Sequence, residues 1–340
     1  MRGKRFLFFV VLALLMLFIM VWATGTGAVQ IRPAAVVRVF ADLLRGSSAA
    51  GNAEHTIIWQ VRFPRVLLGF LIGAALAAAG AAFQGLLQNP LADPYTIGVS
   101  SGAALGATAA ILLLPGIGLS TTLLIPLFAF FGALIALIIV YQLGRVGGRL
   151  PVVTVLLAGV VISSFFSAMI SMSMIFAGEQ MRSIFFWLVG GLGQKGWPYV
   201  ALILPYLIVG LALLIFLARD LNLILLGEEE ALSLGVEVER VKKTVLIAAS
   251  LITAGAVSVS GMIGFVGLII PHAMRILIGP DHRLLFPASL LGGGIFLVAA
   301  DTFARTIISP VEIPVGIITA FLGAPFFMYL LRRHREKYRF

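Results

Sequence analysis

"LLQNPLADPYTIGVSSGA", residues 86–103, sets two proline breaks, Asn89-Pro90 and Asp93-Pro94, between apolar runs, and follows them with a string of small residues. Each proline removes a backbone donor and pushes the residue before it out of the helical region, so the segment is a turn whose freed carbonyls need partners. After the turn, Gly98, Gly102 and Gly106 recur at helical spacing, a pattern that lets helix backbones approach closely inside a bilayer. Gly69, Gly73 and Gly80 repeat it in the run before the turn.

The rest of the chain explains why such a break stands here. Its 340 residues are 61% hydrophobic and only 11% charged, with a mean hydropathy of +1.10. That balance excludes an ordinary soluble domain and marks a polytopic membrane protein. Apolar runs long enough for a span of roughly 20 residues begin near residues 6, 66, 95, 120, 152, 198, 241, 262, 284 and 314. The fold expected is therefore all-α, a single transmembrane domain over 1–340 with about ten helices. The first run, "RFLFFVVLALLMLFIMVWATGTGA", is too long for the apolar core of a signal peptide and reads as an uncleaved helix. With no cysteine there is no lipid-anchored thiol, disulfide or thiolate metal site.

Basic residues orient the spans. With the amino terminus inside, the inner loops hold Arg2, Lys4, Arg5, Arg145, Arg149, Arg219, Arg240, Lys242, Lys243, Arg275, Arg283, Arg332, Arg333, Arg335, Lys337 and Arg339, sixteen of the 24 Lys and Arg. That bias puts both termini in the cytoplasm. The net charge of +10 is then a topology signal; with no basic stripe and no interleaved aromatics it does not indicate nucleic acid. On this topology residues 86–103 form the inner turn between the second and third spans.

Two motif matches lack their structural context. "GVSSG", Gly98–Gly102, fits a nucleophile elbow but has no strand before it, and "GLGQKG", Gly191–Gly196, fits a dinucleotide fingerprint with no βαβ unit around it. No Walker A sequence occurs, so any ATP-driven process needs an ATPase on another chain. The longest inner loop, 219–243, carries Glu228, Glu229 and Glu230 ahead of Ala231, Leu232 and Leu234, with Gly235 as a stop. That pattern predicts a short helix with acids in its dipole-favoured first turn, a surface a cytoplasmic motor could push against.

"VRFPRVLLGFLIGAALAAAGAAFQGLLQNPLADPYTIGVSSGA", "LNLILLGEEEALSLGV", "GFVGLIIPHAMR" and "LGAPFF" occur in this order, and the chain from about residue 57 onward resembles the FecCD family. These are permeases of binding-protein-dependent ABC importers for iron-siderophore complexes, haem and cobalamin, in the bacterial or archaeal cytoplasmic membrane. The resemblance implies a homodimer enclosing a central pathway, two ATP-binding subunits below and an extracytoplasmic substrate-binding protein above. It also implies that ATP and magnesium sit on the partner ATPase, with no cofactor, metal or catalytic residue in this chain. Residue by residue it implies that Arg62, Arg65 and Arg305 meet acidic lobes of the binding protein. Glu228, Glu229, Glu230, Ala231, Leu232, Leu234 and Gly235 would form the coupling helix. Asn89, Pro90 and Leu91, with Pro151, Val152, Val153 and Thr154, would form the inner gate, Pro151 standing where a small polar residue is common. Iron-siderophore is the leading cargo, with haem and cobalamin close behind.

Three further readings rest on the residues. Asp301 precedes Arg305 by one helical turn, so a local i,i+4 pair competes with docking. "GAALAAAGAA" (73–82) and "AASLITAGAV" (248–257) echo each other on helices of opposite direction, a candidate inverted repeat. Ser163, Ser164, Ser167, Met169 and Ser171 make the fifth span the candidate pathway wall, unless the hydroxyls serve backbone carbonyls. His55, His272, His282 and His334 are scattered, which favours neither a metal site nor a proton relay. The alternatives are a secondary transporter without an ATPase and an intramembrane hydrolase using Ser100 or Ser101.

Overall fold

The computed structural model describes residues 2–27, 29–45, 53–115 and 121–333; His334, Arg335, Lys337 and Arg339 lie outside them. The helices are α1 (Arg2–Gly25), α2 (Pro33–Leu44), α3 (Phe63–Leu86), α4 (Val99–Leu113), α5 (Thr121–Gly144), α6 (Val152–Ile175), α7 (Met181–Val189), α8 (Trp197–Phe216), α9 (Ala218–Ile224), α10 (Glu228–Ser233), α11 (Val238–Ser260), α12 (Val266–Ile278), α13 (His282–Ala304) and α14 (Val315–Arg333). Among the described residues there is no strand beyond the isolated Val146–Arg149 bridge. The all-α membrane fold follows from composition: in a bilayer a helix satisfies its own backbone, and runs this apolar have no other stable form.

The ten expected runs emerge as ten apolar helices of two kinds. Seven helical stretches are long and apolar enough to cross a membrane, while α4, α12 and the described apolar part of α14 are shorter. Two of the short ones begin inside the bundle. Gly98, the cap of α4, lies against the Gly159 carbonyl and the Ser163 hydroxyl of α6, seven residues or about 10 Å beyond the start of that helix. Gly267, at the start of α12, lies against Gly80 of α3, six residues before α3 ends. The segment after α3 is therefore more than a turn at the inner surface, because it climbs back into the protein before α4 begins. Residues 261–265 descend from the other side before α12 begins, and Pro94 of the first break lies beside Gly267 of the second. Each unit thus joins a long helix to a shorter one through a break entering from opposite sides, an arrangement that inverted repeats produce.

At the centre stands α3, packed against α8, α11, α12 and α13. Its small residues allow this. A methyl group at Gly73 would overlap the Gly293 carbonyl of α13, and one at Gly80 would overlap the Gly267 carbonyl of α12. Gly102 of α4 and Gly132 of α5 meet in the same way. Backbones this close gain dispersion contacts that lipid cannot match. Buried Gln84 in α3 donates to the Leu268 carbonyl at 3.2 Å and reaches the Gly267 carbonyl at 3.4 Å, the acceptor that proline at 271 leaves without its i→i−4 donor.

Candidate functional site

Three arginines gather at the outer end of the bundle, and the guanidinium groups of Arg62 and Arg305 face inward. Arg62, at the end of a π-helical turn over Ile57–Arg62, donates to the Gly25 carbonyl at 2.9 Å, to the Thr24 carbonyl at 3.3 Å and to the Val29 carbonyl. It thereby closes the carbonyl end of α1, where a cation is favoured by both hydrogen bonding and the helix dipole. Arg305 donates to the Ala23 carbonyl and to Thr302 Oγ1, and its Nε is 3.8 Å from Asp301 Oδ2. Arg65 forms a bidentate pair with Asp301, Nε to Oδ2 at 3.0 Å and Nη2 to Oδ1 at 2.9 Å. Its Nη1 reaches both oxygens of Glu312, at 2.8 and 3.1 Å. Arg62, Asp301 and Arg305 are buried, while the Glu312 side chain is half exposed. The local reading of Asp301 and Arg305 is present, but the stronger partner of Asp301 is Arg65, 236 residues away in sequence. Lys195 adds a fourth cation, donating to the Val259 carbonyl at the end of α11 and to the Gly191 carbonyl.

At the inner end the acidic loop forms the predicted short helix. α10 begins after Gly227 (φ +138°) with Glu228, Glu229 and Glu230 in its first turn. It ends in a Schellman arrangement: Gly235, at φ +82°, donates to the Leu232 carbonyl, and Val236 donates to the Ala231 carbonyl, both at 3.0 Å. Ala231 and Val236 are buried beneath it; Leu226, Leu232 and Leu234 are exposed beside the glutamates. The helix therefore offers an apolar, acid-rimmed surface away from the bundle.

Both expected gate segments lie at this inner end. Asn89 Oδ1 accepts from the Leu91 amide at 2.9 Å, and Asp93 Oδ1 accepts from the Tyr95 amide at 3.2 Å, so the two prolines follow residues whose side chains close the turn locally. Leu91 is exposed and Pro90 half-buried. Between α5 and α6 a hairpin turn with Gly147 and Gly148 at positive φ brings the chain to Pro151, the cap of α6. Thr154 Oγ1 donates to the Gly144 carbonyl at 2.6 Å. Leu86 and Leu87, just before Asn89, share a small apolar cavity with Leu150, Val152 and Val155, so the flanks of the two segments meet.

The candidate wall divides. Ser164, Ser167 and Ser171 are exposed and fall, with Val153, Leu157 and Val160, on one face of α6 by helical spacing. Ser163 leaves this face, accepting a 3.3 Å hydrogen bond from Ser101 of α4. Met169 also leaves it, lining an apolar crevice with α4 and α5. Ser171 keeps a bond to the Ser167 carbonyl at 2.9 Å, which satisfies its donor but not its second lone pair. Ser101, one of the serines of the hydrolase alternative, donates to the Gly98 carbonyl at 2.9 Å. Among the described residues no three of His, Asp and Glu gather as a metal-binding group. His282 instead pairs its Nδ1 with Asn222 Oδ1 at 2.8 Å, joining α13 to α9.

Sequence reasoning missed Asp301 as the partner of Arg65, gave no role to Glu312 or Gln84, and read Lys242 only as a topology signal. A charged or amide residue inside or beside a span was the available signal; the partners of Arg65 and Gln84 lay far along the chain.

The profile of the FecCD transport family matches residues 14–333. The cobalamin import system permease BtuC of Halobacterium salinarum is 49% identical over 83% of this chain and 74% of its own length. The hemin transport permease HmuU of Yersinia pestis is 42% identical over 86% of this chain and 87% of its own. The Fe(3+) dicitrate permease FecD of Escherichia coli is 37% identical, covering 84% and 88%. A solved structure described as an inward-facing metal-chelate type ABC transporter superposes with a TM-score of 0.83 at 31% identity, over 98% of this chain and all of that one.

Proposed function

We propose, on the premise that this chain belongs to the FecCD transport family, that two copies enclose a pathway along their α6 faces and pass an intact metal chelate through it. The chain is a multi-pass permease subunit of an ABC importer for chelates of the cobalamin, haem and iron-citrate kind. The observation that carries the pathway is the exposed line of Ser164, Ser167 and Ser171 on α6. Hydroxyls facing lipid gain nothing, whereas a water-filled passage wets them. Val153, on the same face at the inner end, puts the expected gate in line with them. Such a wall is uncharged and weakly binding, which suits a large ligand that already holds its metal. Substrate is released without chemistry in this subunit; ATP and magnesium are assigned to two separate ATP-binding subunits, and the membrane to the cytoplasmic one.

Coupling is assigned to α10, whose exposed Leu226, Leu232 and Leu234 beside Glu229 and Glu230 fit a mixed apolar and basic cleft on an ATPase. Docking of an extracytoplasmic binding protein is assigned to the rim that Arg62, Arg65 and Arg305 anchor. With two of these guanidiniums turned inward, the accessible charges there are Glu312 and the edge of Arg65. Arg62 and Arg305 support the rim by holding α1 against α3 and α13.

The test uses the absence of native cysteine. Cysteine at Ser164, Ser167 or Ser171, assembled with the ATPase subunits in proteoliposomes, should react with polar maleimides and cross-link to the same position in the second copy; uptake should then stop. Unreactive sites would remove the pathway from this face. Reversing Glu228, Glu229 and Glu230 to Lys should abolish ATP-driven uptake while the permease still reaches the membrane. Uptake that survives ATP depletion in an ion gradient would favour a secondary transporter. Labelled ferric siderophore, haem and cobalamin in a deletion strain identify the cargo.

A further inference from the structure

We infer that Lys242 is a positioning residue that ties the cytoplasmic helix α10 to the turn entering α6, so that a push on α10 is felt at the expected inner gate; this rests on the permease reading above. Lys242 is 4% exposed, although it lies in the second turn of α11 at the cytoplasmic end of the protein. Its Nζ pairs with Glu228 Oε1 of α10 at 2.5 Å and with Glu239 Oε1 of its own helix at 3.4 Å. The second oxygen of Glu239 accepts the Leu150 amide at 2.9 Å. A path of polar contacts thus runs from the first residue of α10, through the ammonium and one carboxylate, to the residue before Pro151.

Each link is one the protein cannot relax locally. Burying an ammonium is costly unless it is paired, so withdrawing Glu228 leaves Lys242 to follow α10 or to lose one of its two counter-charges. Pro151 has no N–H, so the Leu150 amide is the last donor before α6, and its acceptor is a side chain of α11 rather than its own turn. Lys242 also lines the small apolar cavity bordered by Leu86 and Leu87 at the end of α3 and by Leu150 and Val152. The same residue therefore borders the cavity that the flanks of both gate segments share. Arg240 and Lys243 stay out of this path: Arg240 pairs with Glu237 at 3.4 Å, both exposed, and Lys243 stacks over Tyr141.

The experiment reads the gate directly. Val153→Cys in the otherwise cysteine-free chain, assembled with its ATPase subunits in proteoliposomes, is labelled by a maleimide with and without ATP and magnesium. The relay predicts that adding Lys242→Met, which keeps the apolar stem, reduces the nucleotide-dependent change in labelling rate about tenfold, within the range of energetic coupling between linked sites. Lys242→Arg, which keeps charge and both carboxylates, should retain most of it. A Lys242→Met protein that responds like its parent overturns the relay. Should Lys242→Met fail to assemble with the ATPases, Glu228→Gln replaces it, removing one charge from a half-exposed position; about a threefold reduction is expected, and an unchanged response overturns the relay. A parent whose Val153→Cys labelling ignores nucleotide overturns the gate reading, and the relay falls with it.

Discussion

α3 and α6 are each 24 residues long and apolar all round, yet they occupy opposite situations. In the stretch containing α3, 89% of the most apolar window is buried; in α6 the figure is 33%. Hydropathy does not separate them. Residue size does: α3 places glycine where its backbone comes closest to those of α12 and α13, at Gly80 and Gly73, whereas α6 presents Val, Leu and Phe broadly and breaks the pattern with serine. Where lipid is as apolar as the side chains, burial follows close backbone approach rather than hydrophobicity. The buried helix is fixed at its outer end by Arg65 and at its inner end by Gln84 and Gln88, the latter donating to the Ile224 carbonyl at 3.2 Å. The exposed helix is left free for another surface.

The contrast can be broken most severely from inside α3. Arg65→Ala leaves Asp301 buried without its bidentate partner, and a loss of about 3–5 kcal/mol is expected; thermal unfolding in detergent should show it. Arg65→Ala with Asp301→Ala should cost less than the two changes summed. Equal additive losses would mean that the pair is not coupled. Gly80→Leu drives a side chain into the Gly267 carbonyl and should destabilise by about 3 kcal/mol, whereas Val161→Leu on the exposed side of α6 should change stability by less than about 0.5 kcal/mol. Similar effects at the two positions would remove the distinction between the helices.

A sharper version asks about function without stability. Ser164→Leu and Ser167→Leu should leave the melting temperature of the permease within the effect of about 0.5 kcal/mol while reducing chelate uptake. A marked loss of stability instead would assign these hydroxyls to packing. The smallest effect is expected at the rim: Glu312→Gln removes an exposed carboxylate from Arg65 and should cost less than about 1 kcal/mol. If Glu312 faces the binding protein, the same change should flatten the salt dependence of association more than it alters stability.

Much of this could be seen in the one-dimensional pattern. The apolar runs became helices because each is a local answer to a local need, the backbone satisfying itself within a single segment. α10 was legible for the same reason: three acids, a short apolar pattern and a terminating glycine act within one or two turns. The family motifs carried the identity further than any periodicity, since long matched segments in order are harder to produce by chance than a composition. The serines of α6 were visible as a group, and helical spacing separates Ser163 and Met169 from the other three; what those two meet was settled only by the positions of α4 and α5.

By itself, then, the sequence determined the ten apolar helices and the sidedness that sixteen inner basic residues imply, because these depend on hydropathy and charge summed over short stretches. Tertiary structure decided the rest. It turned Arg62 and Arg305 onto the carbonyl end of α1, placed Asp301 opposite Arg65, and buried Lys242 between α10 and α11. It also carried the proline-broken segment after α3 back into the bundle to meet Gly267. For the arginines the partner is a backbone carbonyl or a carboxylate from a distant part of the chain, and a charged side chain near a membrane boundary is stable in water or in a paired site alike. Which of the two it finds is set by the helices that pack around it.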